Sequence, residues 1–148
     1  MDEEDKPDHG PLVRSLFQEI QDMSVSDKLD FARKCSKEAR TILIRDSNRL
    51  VQMAVVASPK ITDGEVLMIA NNRQVDEEVL RFIANNREWI KNYQVKVALV
   101  NNSKTPLSLA MKFVSALQQR DLTALSKSKS VARALVIAAQ RRLKEVKV

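Results

Sequence analysis

Apolar residues in this chain recur three and four positions apart and rarely alternate, a pattern that predicts helices and hardly any strand. From Leu12 to Met23 the apolar set is Leu12, Val13, Leu16, Phe17 and Ile20, with Arg14, Glu19 and Asp22 left to water, which predicts an amphipathic first helix. Ser26 precedes Leu29 and Ala32, Lys37 opens a stretch bearing Ala39, Ile42, Leu43 and Ile44, and Asn48 precedes Leu50, Val51, Ala54 and Val55. Continued to the end, the spacing predicts about ten short helices, over 11–23, 26–35, 37–46, 48–57, 62–71, 76–85, 90–101, 105–118, 120–127 and 129–144. Helices this short are marginal alone in water, so each must bury its apolar face against neighbours. That is the logic of a repeat protein.

The repetition is visible in the letters. Glu65 to Asn72 reads EVLMIANN and Glu78 to Asn86 reads EVLRFIANN, with the Ile-Ala-Asn-Asn ends 14 residues apart; a third helix ends in Val100-Asn101-Asn102. Asparagine there tolerates the left-handed backbone that caps a helix C-terminus and can bond loose backbone groups. A longer period also shows. Val51, Met53, Ala54, Val55 and Val56 fall 44 residues before Val95, Val97, Ala98, Leu99 and Val100, and Lys60 falls 44 before Lys104, a spacing suited to paired-helix repeats. Helix starts are marked as well: Thr62 with Glu65 has capping-box spacing, Asp76 precedes Glu77 and Glu78, and Thr105 before Pro106 places a cap ahead of a proline suited to a first helical turn.

Composition agrees with one helix-rich domain over 11–148: 148 residues, 44% hydrophobic, with two Gly and four Pro. Residues 1–10 lack apolar periodicity and are expected to form a disordered acidic leader. The longest charge-free run, Leu50 to Pro59, has ten residues against the roughly 20 of a spanning helix, and MDEED is unlike a basic signal peptide, so a soluble, cytoplasmic protein is expected. Charge is uneven. Residues 1–86 sum to −4, whereas residues 120–148 alone carry +6, a gradient able to steer an acidic partner or nucleic acid toward one end.

Ala57-Ser58-Pro59-Lys60-Ile61-Thr62 and Val100-Asn101-Asn102-Ser103-Lys104-Thr105-Pro106, each followed by a short apolar helix, resemble the repeat of bacterial HEAT-like proteins, especially the leucine-rich repeat variant class. That pattern runs Ala-x-Asn-Pro-x-Thr-Pro and then a Leu-containing helix; here Ser58 stands for Asn, Ser103 for the first Pro and Asp63 for the second. Over roughly residues 40–117 the resemblance implies an all-α, HEAT-like α-solenoid: a curved stack of short helices that binds another protein and carries no catalytic residues.

The chemistry-bearing residues fit a binding role. Trp89 and Tyr93, the only Trp and Tyr, are candidate interface anchors, although a structural plug at a helix junction is the plainer role for Trp89. Arg40, Arg45, Arg49, Arg73, Arg81 and Arg87 lie on or just after successive helices, and stacking could align some of them toward an acidic partner. The last helix sets Arg133, Arg141, Arg142 and Lys144 apart from an apolar side of Val131, Leu135, Ala138, Ala139 and Leu143. This basic end is the basis of the competing expectation, a nucleic-acid-binding module, against which stands the small number of aromatics available for base stacking. One His and one Cys, His9 and Cys35, are too few for a Cys/His zinc site, neither glycine builds a phosphate loop, and no second His completes a nucleophile–base pair. The expectation is therefore a non-catalytic adaptor or scaffold with no cofactor.

Overall fold

The computed structural model describes residues 15–147. Among them the chain is all-α, without a strand. In order it forms α1 (Leu16–Gln21), α2 (Val25–Ala32), α3 (Lys37–Leu43), α4 (Arg49–Val56), α5 (Asp63–Ala70), α6 (Glu77–Ala84), a 3-10 turn (Trp89–Lys91), α7 (Tyr93–Asn101), α8 (Leu107–Val114), α9 (Gln119–Ser126) and α10 (Arg133–Lys147). The acidic leader expected over 1–10 and the start of the helix expected from residue 11 lie outside the described residues. No described helix is long and apolar enough to cross a membrane.

Side-chain caps set where the helices begin. Ser15, Ser24, Ser36, Asn48, Thr62, Asp76 and Asn92 each accept a backbone N–H from the first turn of the helix they precede, satisfying donors that the helix cannot bond internally. The Thr62–Glu65 capping box forms as the spacing predicts: Thr62 Oγ1 accepts from Glu65 N at 3.3 Å, and Glu65 Oε2 accepts from Thr62 N at 3.0 Å. At α2 the cap is Ser24, whose hydroxyl accepts from Asp27 N, so the helix starts before the expected Ser26. Likewise α10 begins at Arg133 instead of 129, because Ser128 Oγ takes the N–H of Ser130 and holds that stretch in a turn.

The asparagine doublets do punctuate, but not by left-handed backbone. Asn71 and Asn85 end α5 and α6 with right-handed helical torsions. The turn is made by the second asparagine: Asn72 Oδ1 accepts from Gln74 N (2.8 Å), Asn86 Oδ1 from Glu88 N and Trp89 N (3.0 Å each), and Asn102 Oδ1 from Lys104 N (2.9 Å). Ser58, 44 residues before Asn102, does the same for Lys60 N at 3.3 Å. The periodicity therefore marks equivalent turns.

The helices gather into two compact units, the first closing at Lys60 and the second opening at Ile61. In the first, α1 packs on α3, α2 on α3 and α4, and α3 on α4. Ile20, Ala32, Ala39, Leu43, Val51, Val55 and Val56 are buried there. Lys28 Nζ donates to Asp46 Oδ2 at 2.6 Å, and Asp46 Oδ1 also accepts the N–H of Asn48 at 2.8 Å, tying α2 to the α3–α4 turn. In the second unit α5 packs on α6 and α7, α6 on the 3-10 turn and α7, α7 on the 3-10 turn and α8, and α10 on both α8 and α9. Leu80, Ile83, Leu99, Leu122 and Leu125 are among its fully buried side chains. Each such side chain contributes roughly 1.5–3 kcal/mol by leaving water.

Candidate interaction surface

The α7–α8 connection is where the second unit departs most from its own rules. Asn102 is 3% exposed, and its Nδ2 donates to the carbonyls of Ala70 (2.8 Å) and Asn72 (3.0 Å), at the end of α5. Its Oδ1 shapes the turn through Lys104 N. The loop is therefore fixed from behind, and its outer residues are presented on a rigid base.

Thr105 and Pro106 then behave otherwise than the cap expected from the sequence. Pro106 adopts φ −54° and ψ 133°, so α8 starts at Leu107 and Pro106 itself occupies the cap position, with no side-chain hydrogen bond to the first turn. Thr105 stands one residue too early to cap. It is 8% exposed, and its Oγ1 is buried without a hydrogen-bond partner. The ladder into Pro106 O begins with Leu109 N and Ala110 N, which leaves the first N–H groups of α8 uncapped.

These residues border a groove of about 340 Å³, walled by the 102–107 loop, by Glu77 at the start of α6, and by Val131, Ala132 and Leu135 at and before the start of α10. On α8, Leu107 and Met111 lie one turn apart and are 44% and 40% exposed, extending an apolar strip from the groove wall. In the first unit a second groove, of about 430 Å³, is lined by Leu29, Asp30, Arg33, Ala54, Ala57 and Pro59.

The six candidate arginines fall in two units and have different surroundings within each. In the first unit Arg45 and Arg49 are exposed, whereas Arg40 is 5% exposed and its NH1 donates to Cys35 O at 2.8 Å. Arg40 is thus spent on holding the α2–α3 connection. In the second unit Arg73 donates to Asn101 O at 3.3 Å, Arg81 pairs along its own helix with Glu77 (3.6 Å) and Glu78 (3.4 Å), and Arg87 is exposed. Such exposed intrahelical pairs are worth a few tenths of a kcal/mol.

Trp89 is half-buried in the 3-10 turn, with its ring centroid 6.0 Å from that of Phe82 at an interplanar angle of 59°. This is an edge-tilted aromatic pair closing the α6–α7 junction. Tyr93 is also half-buried. Its Oη donates to Asp121 Oδ2 at 2.5 Å and accepts from Gln118 N at 2.8 Å, so the phenol holds both the first turn of α9 and the residue that precedes it, Gln118, which makes no side-chain cap of its own. Burial, and next the hydrogen bond to Asp121, push its pKa above the ordinary value.

Along α10, Arg133, Arg141 and Lys144 are exposed at spacings of eight and three, which places them on one helix face. Arg142 lies on another side and bonds Glu145 Oε1 at 3.2 Å. Among the described residues no group of His, Cys, Asp or Glu is arranged to hold a metal ion, and Cys35 is buried.

The Asn-Ser-Lys-Thr-Pro stretch, expected as punctuation, also walls the groove. The available signal was the proline directly after Thr105, which displaces the cap by one residue. No family model, curated protein or solved structure matches this chain.

Proposed function

We propose that this chain is a non-catalytic protein-interaction adaptor of the HEAT-like repeat kind, holding a rigid helical surface to a partner protein in a bacterial cytoplasm. Support for serial stacking comes from contacts between alternate helices: α1 with α3 and α2 with α4 in the first unit, α5 with α7 and α8 with α10 in the second. Preorganised helices let a partner dock without the entropy cost of ordering a loop.

The observation that carries the reading is the exposed pair Leu107 and Met111 beside the groove. Their helix buries Leu109, Ala110, Phe113 and Val114 on its other side, so α8 is already anchored and leaves two large apolar side chains facing outward. A photo-crosslinking residue at position 111, used in the native cell, is expected to give one dominant protein adduct. Adding Leu107→Glu should cut its yield about tenfold with Tm unchanged. Diffuse adducts, or a yield indifferent to Leu107→Glu, reject the adaptor reading.

The exposed face formed by Arg133, Arg141 and Lys144 favours a second reading, nucleic-acid binding through phosphates. Its mark is an affinity for non-specific duplex DNA that falls linearly on a log–log plot against salt and loses slope in Arg141→Gln/Lys144→Gln. Absence of binding at low salt removes it.

A further inference from the structure

We infer that the first unit carries a docking site of its own: the groove between α2 and α4 receives an amphipathic helix of a partner protein, antiparallel to both, with carboxylates in its first turn. The inference extends the adaptor reading, which is carried by α8, to a surface of the other unit.

Two helices lying side by side make this groove. α2 packs on α4, and just beyond their ends Lys60 Nζ donates to Lys34 O at 3.2 Å, so the C-termini meet and the helices run in the same direction. The groove, of about 430 Å³, lies between Leu29 and Arg33 on the α2 side and Ala54, Ala57 and Pro59 on the α4 side. One turn nearer the helix starts, Val25 precedes Leu29 and Leu50 precedes Ala54, and these two are 41% and 55% exposed. Each helix thus lays an apolar row along one edge of the trough: Val25 and Leu29 on one, Leu50, Ala54 and Ala57 on the other. The short side chains of Ala54 and Ala57 let another helix come close. A trough of this volume holds a few aliphatic side chains and not a helix body, which suits a helix lying along it with one apolar stripe inserted.

Charge sets the polarity of the occupant. Arg33, Lys34 and Lys60 are exposed together where α2 and α4 finish, and among the described residues none of the three makes an ion pair. Asp30 is the carboxylate in the lining, which leaves that end net positive. Its complement is an acidic stretch. Helix dipoles then choose the direction. The negative ends of α2 and α4 meet at the cations, so an antiparallel partner sets its positive N-terminal end beside them, where acids in its first turn are favoured by its own dipole as well. A nucleic-acid backbone fits less well, because the two apolar rows would face phosphates and only one end of the trough is positive.

The test titrates the full-length, ¹⁵N-labelled chain with two capped helical peptides of identical composition, each about 14 residues long, with leucines at helical spacing on an alanine background. One carries Asp-Glu-Glu in its first turn and the other in its last. The acid-first peptide is expected to give saturable shifts of the Leu29, Ala54 and Ala57 amides, and the acid-last peptide to bind at least about fivefold more weakly. Leu50→Glu should weaken the acid-first peptide about tenfold and Arg33→Gln about fivefold, both with Tm unchanged because both side chains are exposed. No saturation by about 1 mM, shifts confined elsewhere, or equal binding of the two peptides overturns the inference. Without peptide, the groove amides should stay in place when Asp2, Glu3, Glu4 and Asp5 are changed to their amides in the full chain, and when the protein is diluted. Movement in the first case gives the groove to the chain's own N-terminal segment, movement in the second gives it to another copy, and either one overturns the partner helix. A failed titration beside a persistent single adduct at position 111 defeats this site alone, and the reverse pair of results defeats the α8 reading and leaves this groove standing.

Discussion

Asn102 reaches across 32 residues of sequence to donate its side-chain amide to the carbonyl of Ala70 at 2.8 Å, joining the end of α7 to the end of α5. A second bond from the same nitrogen, to Asn72 O, makes this residue the lock between two turns of the same design. Asn102→Ala should destabilise the second unit by about 2–3 kcal/mol, because two carbonyls lose their donor and the turn loses its acceptor. Asn102→Asp should do no better, since a carboxylate cannot donate to them. Urea denaturation followed by Trp89 fluorescence measures both, and a loss under about 0.5 kcal/mol for either contradicts the assignment.

Tyr93 makes a prediction with a pH signature. Its pKa is raised in the folded protein, so the native state holds the phenolic proton more tightly than the unfolded chain does. The stabilisation is complete below the ordinary tyrosine pKa of 10.0 and is lost as pH climbs through the higher folded value. Tyr93→Phe should lower stability by about 1–2 kcal/mol at neutral pH and by progressively less above pH 10. Parallel stability curves for the two proteins through the alkaline range would contradict this.

Asp46 acts at the opposite end of the pH scale. Burial raises the pKa of its carboxyl, but the hydrogen bonds from Lys28 and from the Asn48 backbone outweigh that effect and hold it below the ordinary 3.8. Its contribution is therefore present above the unfolded value and disappears as pH falls through the folded one. Asp46→Asn should cost the first unit about 1–2 kcal/mol near pH 7 and converge with the parent protein once pH has fallen through the folded value. Thermal melts across pH 2–7 make the comparison, and a constant difference rejects it.

Arg40 separates packing from partner binding. Its guanidinium is buried and bonded to Cys35 O, so Arg40→Ala should destabilise by about 1–3 kcal/mol. Arg45→Ala and Arg49→Ala, on exposed side chains, should stay within about 0.5 kcal/mol. Equal effects from all three in differential scanning calorimetry would be inconsistent with the burial pattern.

Much of this fold was legible in the letters. Apolar spacing at three and four gave the order and number of helices, and Thr62, Asp76 and Asn48 marked starts correctly because capping is a local hydrogen bond between residues two or three apart. Errors arose where two local signals competed. Ser24 was chosen over Ser26, and Asn86 folded the stretch before α7 into a 3-10 turn, since each side chain could claim the backbone N–H groups first. The Trp89–Phe82 pair lies within seven residues and was approachable from sequence, whereas the Tyr93–Asp121 bond, 28 residues apart, was not.

The sequence by itself determined the helical class, the short element lengths and the recurrent turn chemistry, because those follow from periodicity and from bonds that close within a few residues. Tertiary structure alone decided that Arg40 is buried while Arg45 is exposed, that Asn102 spans from α7 to α5, and that Thr105 ends up beside a groove with a hydroxyl nothing satisfies. Such outcomes depend on which distant backbone groups meet, and residue identity along the chain does not encode that meeting one position at a time.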